Sequence, residues 1–234
     1  MIKFLKVSGS HYEVGYQVFI IIYLTTLFSF YSFQVGKAMK AEIESYIQRS
    51  AYVQEVMIPF YASKAGSQLY EKTLDTLRAE CPQYLAELEG MARGAELPFT
   101  TIMMLNINCP VGSKGDHVYD VAYNTLTRLL PAVLDKGCTS LMVPDTLGKC
   151  RVLGHTEDGP PEAEGCLAML EVTIPASGHL HAESFTALSY PGSLVGRALG
   201  FNTREGFAWS MNSTTPRSHS PGMRESFISD ENMH

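Results

Sequence analysis

Apolar residues recur every three or four positions through the first half of the chain and then change to alternation. Val35, Met39, Ile43 and Ile47 stand four apart, with Ala38 and Tyr46 at i+3 positions, which predicts one amphipathic helix over 35–49. The same period predicts helices over 67–78 and over 82–93, the second with Tyr84, Leu85, Leu88, Met91 and Ala92 on one side. A fourth covers 120–134, where Pro131 kinks or ends it. After Gly137 the texture differs. Segments 139–143 and 151–155 flank Pro144-Asp145-Thr146-Leu147-Gly148, and 167–174 and 179–188 flank Pro175-Ala176-Ser177-Gly178. These are two predicted β-hairpins, followed by a fifth strand over 206–211. Helices first and antiparallel strands afterwards predict an α+β fold with helices packed on a sheet.

Three portions result: a helical 1–137, a β-rich 138–212, and a polar tail over 213–234. The tail is rich in Ser and Pro and offers only Met223, Phe227 and Ile228 as substantial apolar groups, too few to pack, so it is expected to be disordered. A sheet of four or five strands running into such a tail leaves one edge open, so the fold is expected to be incomplete at the C-terminus.

One apolar run does not fit the helical pattern. Val14 through Gly36 carries no charge, but its strictly apolar part is shorter than the roughly 20 residues of a membrane span, and it includes Thr25, Thr26, Ser29 and Ser32. It lies too far in for a signal peptide, with no small-residue cleavage site after it. Gln-Val occurs at both borders, as Gln17-Val18 and Gln34-Val35. Deleting 18–34 joins the flanks and carries the helical stripe back to Val14. The excess of Phe, Leu, Ser and Tyr matches pyrimidine-heavy codons such as a translated intron end contains. Two readings of 18–34 stand, an insertion and a membrane segment. With the first the protein is cytoplasmic or in an organellar lumen, with the second it is membrane-anchored.

The chain has 234 residues, 45% hydrophobic and 18% charged, which suits one medium-sized domain. The net charge is −6 and no Lys/Arg cluster exceeds two residues, so nucleic acid is not an expected partner. Cysteines stand at 81, 109, 138, 150 and 166 without a C-x-x-C pair, which indicates neither a disulfide framework nor a zinc knuckle.

Cys138 lies at the seam between the helical and β-rich portions, after Gly137 and at the start of a predicted strand. If the Gly137–Cys138 bond is cut, Cys138 acquires a free α-amine of ordinary pKa about 8 beside a thiol of about 8.5. The amine then accepts the thiol proton, and one residue is both nucleophile and base. His155 suggests a conventional Cys/His thiol hydrolase instead, although its place at a strand end also suits a pocket wall. His179, His181 and Glu183 alternate on a strand and read as a solvated face without a third ligand nearby. Glu162 and Glu164 follow a Pro pair in a predicted loop, within reach of a cationic substrate.

The segments Gly137-Cys138-Thr139-Ser140, Gly154-His155-Thr156-Glu157-Asp158 and Gly200 through Asn212 resemble the acyl-coenzyme A:6-aminopenicillanic acid acyltransferase family, a group of N-terminal nucleophile hydrolases that includes animal β-alanyl-amine hydrolases. Gly9 through Gly15, and Glu87 through Gly94 running on to Leu105-Asn106, are similar as well. The resemblance implies an αββα sandwich and a precursor that cleaves itself between Gly137 and Cys138 into α and β chains. It implies Cys138 as the nucleophile toward a small amide or acyl-thioester, Asp158 as the group that holds the α-amine or thiol, and Asn212 as the donor to the oxyanion. His155 and Glu157 fall in the same motif as candidate substrate-binding residues. No cofactor and no metal is expected. The chain departs from the family pattern in the run 18–34 and in lacking the continuation past Asn212. A truncated, unprocessed and non-catalytic family member is therefore the competing reading.

Overall fold

The computed structural model describes residues 2–8, 31–107, 138–143, 152–176 and 182–212. It is an α+β structure. Strand β1 (Lys3–Ser8) is followed by helix α1 (31–38), α2 (Lys40–Arg49), a π-helical turn (Val53–Met57), α3 (Ile58–Ala62), α4 (Lys64–Glu80), α5 (Pro82–Ala95) and α6 (Phe99–Asn106). Then come β2 (Thr139–Val143), β3 (Val152–Thr156), β4 (Ala168–Ile174), β5 (Glu183–Ser189), β6 (Leu199–Asn202) and β7 (Phe207–Ser210).

The helical stripe forms as its spacing predicts, with Val35, Met39 and Ile43 buried in the core and Ile47 packed against it. The predicted helices over 67–78 and 82–93 are α4 and α5, each a little longer. Ser63 starts α4 by accepting the Gly66 backbone N–H on its hydroxyl, and Pro82 fills the first position of α5, where its missing N–H costs nothing. Two helical stretches were not legible. Residues 53–62 lack a clean apolar period because Pro59 removes a backbone donor, and the turn before it is π-helical. Helix α6, Phe-Thr-Thr-Ile-Met-Met-Leu-Asn, reads as a short apolar run that period alone cannot assign. The predicted helix over 120–134 lies outside the described residues.

Five strands form one sheet in the order β1-β4-β5-β6-β7, and β2 and β3 form a separate antiparallel pair. The predicted strands at 139–143, 151–155, 167–174, 179–188 and 206–211 correspond to β2, β3, β4, β5 and β7, and both predicted pairings are present. The expectation of a purely antiparallel sheet is corrected by β1, which lies parallel to β4 with Lys3 opposite Ala168 and Ser8 opposite Thr173. A six-residue strand far from the other strands in sequence has no hairpin signal to announce it. The short β6 was also missed.

Strand β4 explains why the halves form one core. Ala168, Leu170, Val172 and Ile174 alternate inward and meet Tyr31, Val35, Met39, Leu88, Met91, Ile102 and Met103 of the helices. On the outer face of the same strand Glu171 pairs with Lys6 of β1 at 2.8 Å. Helix α1 crosses α5 at close range: a methyl group at Gly36 would overlap the Met91 carbonyl, and one at Gly94 would overlap the Phe33 carbonyl. Of the run 18–34, residues 18–30 lie outside the described residues. Residues 31–34 lie in helix α1, with Tyr31 and Ser32 buried. No helix among the described residues is long and apolar enough to cross a membrane.

Candidate active site

Three elements position the candidate site. Cys138 immediately precedes β2, and the antiparallel register sets Thr139 opposite Thr156 and Ser140 opposite His155. Directly opposed residues share a face of the pair, so Ser140 and His155 meet. The third element is the end of β7. Trp209, opposite Gly200, lays its ring where any side chain at Gly200 would stand and donates its indole N–H to the Gly196 carbonyl at 3.0 Å. That anchor fixes the next residues, Ser210 and Asn212, beside the β2–β3 pair.

Ser140 joins the elements. Its Oγ lies 3.0 Å from His155 Nδ1, 2.8 Å from Ser210 Oγ and 2.9 Å from Asn212 Oδ1. A hydroxyl has one proton and two lone pairs. Asn212 Oδ1 only accepts, so it takes the Ser140 proton, and Ser210 and His155 must both donate to Ser140. His155 Nδ1 therefore carries a ring proton. This contact takes up Asn212 Oδ1, and the remaining polar groups of that side chain are its amide N–H donors.

Glu157 forms the other half of the site. Its Oε2 lies 2.8 Å from His155 Nε2 and accepts from the Cys138 thiol at 3.6 Å, while its Oε1 accepts from the Tyr190 hydroxyl at 2.6 Å. His155 has a side-chain exposure of 3% and Glu157 of 21%, so this carboxylate works in a shielded setting where hydrogen bonds to it are strong. Burial, and then the hydrogen bond to Glu157, push the Tyr190 hydroxyl far above the ordinary tyrosine range, so it remains a donor at all working pH values.

Tyr190 is held from behind. Asn106 at the end of α6 donates its side-chain amide to the carbonyls of Ile102 and Gly192, both at 2.8 Å, and accepts the Leu194 N–H at 2.9 Å. Gly192 adopts a positive φ of 76° against Leu105, a conformation that a side chain would strain. Gly159 has no side chain where the Tyr190 ring passes.

The structure brings together Cys138, His155, Glu157 and Asn212 from the sequence reading. Asp158 is exposed, and the carboxylate on the thiol is that of its neighbour Glu157. Gly137, His179 and His181 lie outside the described residues. Glu162 and Glu164 are instead near Arg49, which donates to both of their backbone carbonyls. Arg49 and Cys166 line a cleft of about 310 Å³ that shares no residue with the Cys138 cluster. Sequence reasoning missed Tyr190, Ser210 and the role of Ser140. Only the register of β2 on β3 points to Ser140, and no local pattern points to Tyr190.

Cys138 Sγ, a His155 ring nitrogen and a Glu157 carboxylate oxygen all lie within 4.8 Å of one another. Chemically the arrangement offers a thiol with an adjacent acceptor, an oriented imidazole and an amide donor.

A family model described as acyl-coenzyme A:6-aminopenicillanic acid acyl-transferase matches residues 146–229. A β-alanyl-dopamine/carcinine hydrolase of Drosophila melanogaster is 28% identical over 213 residues, which is 89% of this chain and 47% of the relative. The chain thus spans about half the length of that curated relative. The motifs from Cys138 to Asn212 and both comparisons agree in direction: the chain is similar to the acyl-coenzyme A:6-aminopenicillanic acid acyltransferase family over residues 146–229 and to the Drosophila hydrolase along most of its length.

Proposed function

We propose that the protein is a cysteine amidohydrolase or acyltransferase acting on small N-acyl amines, with Cys138 as nucleophile once the Gly137–Cys138 bond has been cleaved. The observation that carries this reading is the Cys138 thiol at the head of β2, 3.6 Å from a Glu157 carboxylate that also holds His155 and Tyr190. The name of the Drosophila relative directs the substrate search to amides between β-alanine and an amine.

In this reading the Cys138 thiol gives its proton to its own α-amine, and sulfur bonds to the acyl carbon. Asn212 donates to the oxygen that becomes negative, an interaction worth on the order of 3 kcal/mol at such sites. Collapse breaks the C–N bond, and the leaving amine takes the proton from the α-ammonium. Water or a second amine then attacks the thioester and returns the thiol. Glu157 orients the thiol, and Asp158 is assigned to the α-amine after cleavage. Self-cleavage divides the chain into 1–137 and a β portion that starts at Cys138, within an αββα sandwich.

Intact-mass spectrometry and N-terminal sequencing test the proposal. The expected result is two fragments, the second beginning with cysteine, and a single uncut chain for Cys138→Ala. An active preparation whose second fragment never begins at Cys138 would sink it.

A further inference from the structure

We propose that Cys138, His155 and Glu157 form a binding site for a thiophilic divalent cation, zinc above all, through Cys138 Sγ, His155 Nε2 and Glu157 Oε2. The geometry is close to what the ion requires. Zinc bonds of about 2.3 Å to sulfur, 2.0 to 2.1 Å to imidazole nitrogen and 2.0 to 2.2 Å to carboxylate oxygen place tetrahedral sulfur and oxygen donors about 3.6 Å apart, and nitrogen and oxygen donors about 3.4 Å apart. The observed separations are 3.6 Å for Sγ to Oε2 and 2.8 Å for Nε2 to Oε2. The first already fits. The second, at 2.8 Å, opens by about 0.6 Å when the proton between the two atoms is replaced by the metal.

The outer hydrogen bonds are those of a metal site. Ser140 accepts the Nδ1 proton of His155, so Nε2 is the nitrogen that coordinates once the proton it shares with Glu157 Oε2 has left. Tyr190 occupies Oε1 of Glu157 and turns Oε2 toward the cluster. Both ligands are thus oriented by partners outside the cluster, at no cost to the donors themselves. On binding, the Cys138 S–H proton and the proton shared by His155 Nε2 and Glu157 Oε2 pass to solvent, and bonds from Sγ, Nε2 and Oε2 to zinc replace them. One thiolate and one carboxylate then balance the two positive charges. Three protein ligands leave the fourth position to water.

Sequence spacing does not reveal this set, because Cys138 stands 19 residues before Glu157 and no local pattern links the two. Its consequence for catalysis rests on the reading of Cys138 as the nucleophile: a metal-bound thiolate is withheld from the acyl carbon, so zinc is an inhibitor that a chelator reverses.

The test uses the full chain stripped with a chelator and titrated with Co²⁺ as probe, then with Zn²⁺ in competition. One equivalent of Co²⁺ with an intense thiolate-to-cobalt band in the near ultraviolet is expected, displaced by Zn²⁺. Cys138→Ser is expected to lose the band, and His155→Ala and Glu157→Gln to weaken binding at least about tenfold. Cys81→Ser and Cys166→Ser are expected to leave it unchanged. Far-ultraviolet circular dichroism checks the fold of each variant. Absence of the band, or its survival in Cys138→Ser, overturns the site. Amide hydrolysis assayed in chelator separates the two readings. Activity without a cobalt band refutes the metal site alone, and a band without activity supports the metal site while refuting the catalytic assignment.

Discussion

Ser140 and His155 face each other across the β2–β3 pair, with Oγ 3.0 Å from Nδ1, and the same hydroxyl reaches Ser210 and Asn212 of the neighbouring sheet. One side chain thereby takes the Nδ1 proton of the imidazole and sets the orientation of the amide proposed to stabilise the oxyanion. Among the described residues Leu141, Met142, Val143 and Val152 of the β2–β3 pair are all exposed.

Ser140→Ala is accordingly expected to lower kcat about 10- to 100-fold through loss of orientation, with a smaller effect on KM. Steady-state kinetics on a β-alanyl amine, beside Ser140→Thr as the variant that keeps the hydroxyl, checks this. Equal kcat for Ala and wild type would remove Ser140 from the site.

Glu157 and its neighbour Asp158 are expected to separate by assay. Glu157→Gln changes the rate at which iodoacetamide alkylates Cys138, because the carboxylate lies on the thiol. Asp158→Asn leaves alkylation of the uncut chain unchanged and slows self-cleavage instead. Mass spectrometry reads both on the same samples.

Glu87 is buried under Tyr31, whose hydroxyl donates to it. Burial raises its carboxyl from 4.5 to about 7, against the opposing effect of that hydrogen bond. Between these values the folded protein holds a proton that the unfolded chain has released, so stability falls as pH rises through the window. The loss amounts to on the order of 3 kcal/mol once the pH exceeds about 7. Denaturation of Glu87→Gln from pH 5 to 8 is expected to lack this fall. Tyr31→Phe, which strips the buried carboxylate of its donor, is expected to cost about 1 to 3 kcal/mol and most at high pH.

The crossing of α1 on α5 rests on two glycines, each against a backbone carbonyl that cannot turn aside. Gly36→Ala and Gly94→Ala are each expected to destabilise by about 1 to 3 kcal/mol by forcing the helices apart. The readout is the midpoint of chemical denaturation. A midpoint unchanged in both would show that the helices do not meet at this distance.

The sequence alone determined the elements whose pattern is local. The stripe of Val35, Met39 and Ile43 sets a helix because 3.6-residue periodicity is written in consecutive positions, and the two turn-flanked strand pairs follow from Pro and Gly punctuation. It also placed Cys138 at the head of a strand and brought His155, Glu157, Asp158 and Asn212 into consideration through the motifs that contain them. Tertiary structure alone decided that Lys3–Ser8 joins the sheet beside β4, since parallel pairing leaves no short-range signal. It alone decided that Glu157 rather than Asp158 meets the thiol, that Tyr190 reaches the same carboxylate, and that Ser140 bridges the two sheets. The physical reason is the same in each case. A two-residue repeat tells which face a side chain takes, while the partner across that face depends on register and sheet packing between segments dozens of residues apart.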